Sequence, residues 1–420
     1  MQSDHPSKDI IGSESRELEG KTICVCITGS VAVSNVPGLC RQLMRCGAEV
    51  YCVMSPSATR LIHPDLLHWA TGNSVITKLT GNIEHVILAG ERPGQFGKAD
   101  VILVCPATAN TISKIACGID DTPVTTVVTT AFGSKTPIII VPAMHESMYK
   151  HPIIQENIEK LRRLGVDFIQ PRVEENKAKI AETNDIIFHV MCKIHTPKDL
   201  LGVNFLITAG PCREYLDPIR FITNPSTGRM GVELAREIKL RDGEVTLILG
   251  KTSISIPPEI QILNVETSED YLITVTNELK NKVYDVFISS AAISDFRPSR
   301  KSSDKLQSDA GSFTMEFLPT PKIIKHAREL NKKLVVVAFK AESNLSEEEL
   351  LRRAYSRLME SDVDLMVAND VGKEQRGFES NTNEVFIIDK KKKIIHIPLS
   401  TKQQCSVEII NQIKKILRKN

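Results

Sequence analysis

No sign of charge dominates this sequence of 420 residues: 53 Lys and Arg stand against 51 Asp and Glu, a formal net charge of +2 at pH 7. That balance excludes nucleic acid or a membrane surface as the dominant electrostatic partner. No apolar run approaches the roughly 18 residues of a spanning helix. The N-terminal MQSDHPSKDIIGSESRELEGK also lacks the basic and apolar regions of a signal peptide, so a cytosolic location is expected. The ten cysteines are scattered and follow neither a zinc pattern nor a disulfide framework. Cys24 and Cys26 are the one close pair, expected on opposite faces of a strand, and most of the thiols read as small buried hydrophobes. Short-period repeats are absent as well. What remains is an ordinary globular composition, 41% hydrophobic and 25% charged. Its length predicts two domains, and the balance of charge suits an enzyme of small molecules.

The pattern of apolar runs gives the architecture. After a polar tail at residues 1–18, TICVCITGS reads as a buried strand entering a Gly/Ser turn, VPGLCRQLMRCGA as a helix and EVYCVMS as a second strand. ADVILVCPATAN, TPVTTVVTT and TPIIIVPAM supply further strands, interleaved with the helices TISKIACGI and HPIIQENIEKLRRLG. The grammar restarts near residue 196: TPKDLLGV reads as a linker, VNFLITAGP as a fresh strand and GRMGVELAREIKLRDG as a helix. EVTLILG, VYDVFISSAAIS, LVVVAF, DLMVAND, EVFIID and IIHIPLS follow as strands before a last helix, SVEIINQIKKILRK, with DKKKKI a solvated turn. The fold class expected is α/β, two doubly wound parallel-sheet domains of the Rossmann-like kind at 19–195 and 196–420.

In such sheets ligands gather beyond the carboxyl ends of the strands. Gly29 and Ser30 lie where the first strand meets a helix N-terminus that favours phosphate. The turn carries neither G-x-G-x-x-G nor a P-loop lysine, so no dinucleotide or ATP fingerprint is satisfied. Ser55, Ser57, Thr59 and Thr108 add hydroxyls at neighbouring strand ends, where ordinary helix caps are the simpler reading of each. His145, just past the strand TPIIIVP, reads either as a group facing a ligand or as a loop histidine bonded to backbone. His85, in GNIEHVILAG, reads as a core histidine when taken alone.

Taken together, the GS turn, the Ser-bearing turn, His85, CPATAN and PAMHESM resemble the homo-oligomeric flavin-containing cysteine decarboxylases over residues 19–190. That resemblance implies FMN, with its phosphate near Gly29, Ser30 and Ser55 and the flavin along Pro106, Ala107 and Thr108. It makes His85 the catalytic base and puts His145 at the position of the family's PAMN asparagine, which holds the substrate carboxylate. Met148 matches the motif's last methionine. The family's cysteine-bearing flap is missing, VEENKAKIAE stands in its place, and Lys177 and Lys179 become the candidates for substrate contact there. A histidine can still donate to a carboxylate, more strongly if protonated.

The longest signal is ITAGPCREYLDPIRFITNPSTGRMG, in which a strand, a glycine turn and a helix start present N–H groups, an amide and hydroxyls to an anion. With SSAAISDFRP, TPKII, AFKAES and ANDV…GFESNTNEV, it resembles the phosphopantothenate–cysteine ligases over residues 200–415. The resemblance implies that Asn224 stabilises an acyl-nucleotide intermediate and that Gly210, Ala291, Asp295, Thr320, Pro321, Lys322, Ile323, Phe339 and Arg357 bind nucleotide. Lys305, ten positions beyond Asp295 in the polar loop KSSDKLQSDAGS, falls at the family's flexible-loop lysine. Ser361 stands where bacterial members carry a second lysine, which leaves CTP against ATP open.

The two resemblances in one chain imply successive steps of coenzyme A synthesis: CTP-dependent joining of 4′-phosphopantothenate to cysteine with Mg²⁺, then FMN-dependent decarboxylation to 4′-phosphopantetheine. They also imply a homo-oligomer, a dodecamer built from trimers and dimers. The competing reading is a flavin-binding regulatory protein on the decarboxylase fold without turnover, favoured by the altered PAMH motif and the missing flap cysteine. A tandem NAD-linked dehydrogenase is weaker, since neither first turn carries the fingerprint.

Overall fold

The computed structural model describes residues 5–92, 95–174, 177–306 and 314–418. The chain forms two compact units, Met1–His195 and Thr196–Asn420. In the first, strands β1 (Thr22–Ile27), β2 (Glu49–Met54), β3 (Val101–Ala107), β4 (Ile138–Pro142) and β5 (Asp167–Phe168) make a wholly parallel sheet in the order β2-β1-β3-β4-β5. The reversal of order falls between β1 and β3, which is where open α/β sheets of this order leave a crevice for ligand. The strands are near-continuous buried runs because helices cover both faces.

The second unit holds β6 (Asn204–Ala209), β7 (Glu244–Leu249), β8 (Gln261–Asn264), β9 (Val286–Ser289), β10 (Val335–Glu342), β11 (Leu365–Asp370), β12 (Thr382–Asp389) and β13 (Ile394–Thr401). Their order is β8-β7-β6-β9-β10-β11-β12-β13, the first six parallel and the last two antiparallel. Six parallel strands in the order 3-2-1-4-5-6 form the dinucleotide-type sheet, with its switch point between β6 and β9. Helices Arg229–Leu240 and Lys402–Leu417 pack on one face through Val232, Ile238, Cys405 and Ile409. Helices Ser268–Asn281, Ile323–Leu330 and Glu347–Glu360 pack on the other through Tyr271, Ala327 and Leu350. Both doubly wound domains expected from the sequence are therefore present, with an antiparallel pair added to the second sheet.

Four local expectations differ from the structure. Residues 5–18 are not a free polar tail: Leu18 is fully buried and Lys8 pairs with Glu49 at 2.7 Å. The N–H groups of Gly12, Glu14 and Leu18 donate to the carbonyls of Met44, Arg45 and Cys46. Those carbonyls lie at the end of helix Val36–Arg45, where the last acceptors have no N–H within the helix, so the segment adds donors there. TPVTTVVTT is not a strand but the start of helix Pro123–Ser134, because Thr122 and Thr125 form a reciprocal cap and Pro123 occupies the first turn, overriding a β-branched run. Cys24 and Cys26 share one face of β1, their Sγ atoms 4.0 Å apart, since side chains two apart in a strand point the same way. Finally, the lysine turn after β12 is not wholly solvated: Lys390 reaches Asp362 at 2.8 Å and Asp364 at 3.1 Å.

Candidate active sites

At the first rim the ends of four strands are tied together by backbone bonds and by the Thr28 hydroxyl. Ser55 N–H donates to Ile27 O at 2.9 Å, Thr28 Oγ1 donates to Pro106 O at 2.7 Å and accepts from Thr108 N–H at 3.1 Å, and Ala143 N–H donates to Ala107 O at 3.0 Å. The GS, CPATAN and VPAMHE turns thus lie side by side over β1, β3 and β4. Pro106 and Ala107 are buried, so they serve this rim through backbone, whereas Thr108 is half-buried and caps helix Ala109–Cys117. Ser55 is turned inward and accepts from Ala58 N–H at 3.3 Å. Ser57 stands against the glycine turn instead, and a Cβ at Gly29 would fall 2.5 Å from Ser57 Cβ. Ser30 begins the next helical turn without a side-chain cap bond.

His145 caps helix Glu146–Tyr149. Its Nδ1 accepts from Ser147 N–H at 3.2 Å and lies 2.7 Å from Ser147 Oγ, which leaves the exposed Nε2 as a donor if the ring is neutral. Met148 beside it is also exposed. The strand Met144–His145 pairs antiparallel with Lys177–Lys179, placing Lys177 in register with His145. The stretch in place of the cysteine flap therefore runs alongside the PAMH turn, and Lys179 there is half-buried. His85 lies on helix Glu84–Ala89, half-buried, its Nδ1 enclosed and without a hydrogen-bond partner. Glu84, its neighbour, is engaged elsewhere: bonds from the Thr80 hydroxyl and N–H hold its carboxyl below the usual carboxylate range. No bond joins His85 to the tied turns. Ile83, the residue before this helix, sits in the left-handed region at φ 49°, an outlier for a β-branched side chain.

The second rim encloses a cavity of about 560 Å³. Asn224, Ala291, Asp295, Thr320, Pro321, Lys322, Ile323, Phe339 and Arg357 all line it. Asn224 Nδ2 donates to Ala292 O at 3.2 Å, which leaves its second N–H and its carbonyl for a ligand. Thr320 is fixed from both atoms, its N–H donating to Asp295 O at 2.9 Å and its hydroxyl to Ser294 O at 2.6 Å. Lys322 pairs with Asp295. Gly210 and Lys305 are outside the wall. Gly210, at φ +87°, supports it by accepting Ala292 N–H at 2.9 Å. Lys305 is exposed, and part of its loop, 307–313, lies outside the described residues.

Three glycines rebuild here what the sequence lacks as a motif. Gly210 makes the turn at the end of β6, and a Cβ on Gly228 (φ +79°) would meet Gly210 Cα at 3.2 Å. A Cβ on Gly231 would fall 2.4 Å from Ala209 Cβ, so only glycine lets the helix sit this close to the strand. Turn, close approach and helix–strand packing are the three glycine roles of the dinucleotide fingerprint, here separated by an intervening loop. Among the described residues no cluster of three His, Cys, Asp or Glu is arranged to hold a metal ion.

Comparison with known proteins gives these sites a context. The family model described as DNA/pantothenate metabolism flavoprotein C-terminal domain matches residues 200–417, and the model described as Flavoprotein matches residues 11–195. The coenzyme A biosynthesis bifunctional protein CoaBC of Thermococcus kodakarensis is 51% identical over 415 residues, covering 98% of this chain and 100% of that protein. Its counterpart in Methanocaldococcus jannaschii is 36% identical over 415 residues, 99% of this chain and 98% of the relative. The chain belongs to the bifunctional CoaBC family. A crystal structure of the C-terminal domain of a coenzyme A biosynthesis bifunctional protein CoaBC is also similar, at 31% identity and a TM-score of 0.45, covering 53% of this chain and 100% of that one.

As a CoaBC-family enzyme the chain acts in coenzyme A biosynthesis, through a decarboxylase half and a ligase half, and its first unit is of the flavoprotein family. At the first rim the Ser57 turn packs directly on Gly29, leaving no room for a methyl group between them. Gly29→Ala should therefore force the Ser57 turn outward, an overpacking that costs about 1–3 kcal/mol, and lower the flavin-to-protein absorbance ratio of the purified chain. An unchanged ratio would show that flavin binding does not depend on this packing.

Sequence reasoning missed other residues that line the second cavity: Arg229, Lys340, Asn369, Phe378, Asn383 and Lys402. Arg229 stood inside the quoted NPSTGRMG, where the glycines drew attention from the charge between them. Lys402 opens helix Lys402–Leu417, whose apolar spacing reads as packing, and no local pattern marks it.

Proposed function

We propose that the second half joins 4′-phosphopantothenate to cysteine using CTP with Mg²⁺, and that the first half decarboxylates the product to 4′-phosphopantetheine. The observation that supports this most is the single cavity walled by Asn224, Ala291, Asp295, Thr320–Ile323, Phe339 and Arg357 at the carboxyl ends of a dinucleotide-type sheet. In the ligase the substrate carboxylate attacks the α-phosphorus, the bond to the β-phosphate breaks, and pyrophosphate leaves with the electron pair. The Asn224 amide, already fixed through Ala292, holds the acyl-cytidylate. Cysteine's amine then attacks the acyl carbon, loses a proton, and CMP departs. Phe339 lies along the base, and Lys305 offsets charge developing at the phosphoryl group. Mg²⁺ is held chiefly by the triphosphate and water, which is how this ion usually binds at nucleotide sites.

In the decarboxylase, Gly29, Ser30 and Ser55 would hold the cofactor phosphate, with Pro106, Ala107 and Thr108 along the flavin. FMN, when bound, supplies reversible two-electron oxidation of the carbon that carries the thiol. His85 takes the proton. His145 presents Nε2–H to the substrate carboxylate, with Met148, Lys177 and Lys179 around the same substrate. The assembly that accompanies this reading is a dodecamer of trimers and dimers. Large apolar side chains are exposed in both halves, Leu61, Leu66 and Trp69 in the first and Phe296, Phe317 and Leu318 in the second. Light scattering that found a monomer with full flavin content would overturn it.

The ligase reading is tested by pyrophosphate release from phosphopantothenate and cysteine with CTP or ATP. CTP should support the higher kcat/KM, by roughly tenfold or more, the scale on which buried polar contacts discriminate. Absence of release with every nucleoside triphosphate would reject it.

A further inference from the structure

The ligase cavity has two banks. Ile323 and Arg357 reach it from helices on one face of the sheet, while Arg229 and Lys402 reach it from the first turns of the two helices on the opposite face. Neither Arg229 nor Lys402 has a part in the scheme above. Lys402 is 5% exposed, and its Nζ donates to Phe378 O at 3.0 Å and Gly377 O at 3.5 Å. Phe378 O also accepts from Thr227 Oγ1 at 3.2 Å, which pins the 377–378 turn against the NPSTG loop. Arg229 Nε is enclosed and has no hydrogen-bond partner. The twelve-residue helix it opens is capped by Gly228, and the Thr227 hydroxyl accepts the Arg229 N–H at 3.4 Å.

Among the described residues the Lys402 ammonium bonds only carbonyl oxygens, and Arg229 Nε has no partner. Burial and the Arg229 guanidinium push the Lys402 ammonium down to about 8, against the weaker opposing pulls of Cys405 on its own helix and Glu233 on the neighbouring one. A guanidinium stays charged throughout. Drawing positive groups away from water is costly, and an arriving anion offsets that cost.

We propose that Arg229 and Lys402 grip the β- and γ-phosphates of the nucleoside triphosphate and carry the pyrophosphate leaving group. The proposal rests on the ligase reading and extends it to two further residues. The leaving group is the ligand chosen because the helix after the first strand of a 3-2-1-4-5-6 sheet aims its N-terminus at the switch point where diphosphates bind. Two cations beside a helix N-terminus also suit a group with more than two negative charges better than a lone phosphate monoester. As the α–β bond breaks, the bridging oxygen keeps the electron pair, and the new charge forms beside these groups.

The test uses the full-length protein and inorganic pyrophosphate, measured by titration calorimetry, together with steady-state kinetics. Arg229→Gln and Lys402→Gln should each weaken pyrophosphate binding and raise KM for CTP by at least about tenfold, the loss expected of one charge-assisted bond. KM for phosphopantothenate and the decarboxylase rate should stay at wild-type values. At pH 8.5 pyrophosphate binding should draw a proton onto the wild-type protein, seen as a dependence of the heat on buffer ionisation, and that uptake should vanish in Lys402→Gln. Lost packing alone would not produce this signature, and Lys402→Arg, which keeps the charge, should restore most of the affinity. Unchanged pyrophosphate affinity in both neutral variants would overturn the proposal, as would a rise in KM for phosphopantothenate in place of CTP. Either result with an active wild-type ligase leaves the ligase reading standing, whereas a wild type that releases no pyrophosphate removes that reading itself.

Discussion

Lys305→Ala is expected to slow pyrophosphate release by roughly 100- to 1,000-fold, the range lost when one preorganised charge-stabilising donor is removed. Thermal stability and flavin content should not change, because the side chain is exposed and surface substitutions of this kind usually stay within about 0.5 kcal/mol. The backbone around it is well held. Ser302 N–H donates to Leu216 O at 2.9 Å, Leu306 N–H donates to Asp217 Oδ2 at 3.1 Å, and the Arg220 guanidinium donates to Leu306 O at 3.0 Å. Asp217 is itself fully buried. Burial pushes its carboxyl up, but N–H bonds from Arg220, Ile219 and Leu306 outweigh that and hold it below the usual carboxylate range. The lysine thus leaves a fixed base. Single-turnover release measured with CTP is the check, and wild-type rates in the variant would remove Lys305 from the chemistry.

His85→Asn should retain the flavin absorbance while carbon dioxide release falls by roughly 100- to 10,000-fold, the contribution of a positioned acid–base group. The amide can occupy much of the imidazole's place and still bond through one atom, but it cannot accept a proton near neutral pH. The enclosed, unpartnered Nδ1 of His85 makes the substitution informative. A histidine kept only for packing would be replaced with little effect on turnover, and a buried nitrogen without a partner is not explained by packing. Release of ¹⁴C-labelled carbon dioxide from the carboxyl-labelled substrate is the measurement. Full activity would end the base assignment.

Much of the architecture was legible because buried parallel strands are written as continuous β-branched runs, as in TPIIIVP and LVVVAF. The same rule failed at TPVTTVVTT, where a cap formed by Thr122 and Thr125 outweighed the preference of valine and threonine for strands. Residues 5–18 were misread because their polarity is visible in the sequence, while the carbonyls they satisfy at Met44, Arg45 and Cys46 belong to a helix end that only the fold brings near. In the second cavity some residues of the contiguous motifs were found, others such as Arg229 were passed over within them, and Lys402 had no motif to mark it. It reaches the cavity from a helix that follows the antiparallel β13, so its neighbour Arg229 is distant in sequence and adjacent only in space. The hydroxyl against Gly29 is a similar case: two serines stand two apart, and the strand's exit angle decides that Ser57 and not Ser55 faces the turn.

The near-contact of Gly210 with Gly228 turns the stretch between them into a loop that leaves and returns through one narrow neck. Within it the turn at Ile219 is not slack, since the N–H groups of Ile219 and Arg220 both donate to Asp217 at 2.7 Å, and added residues there would undo those bonds. A methyl group at either neck position would wedge the loop away from the strand. Homologous chains should accordingly keep both the length of the Asp217 turn and the empty gap at the neck.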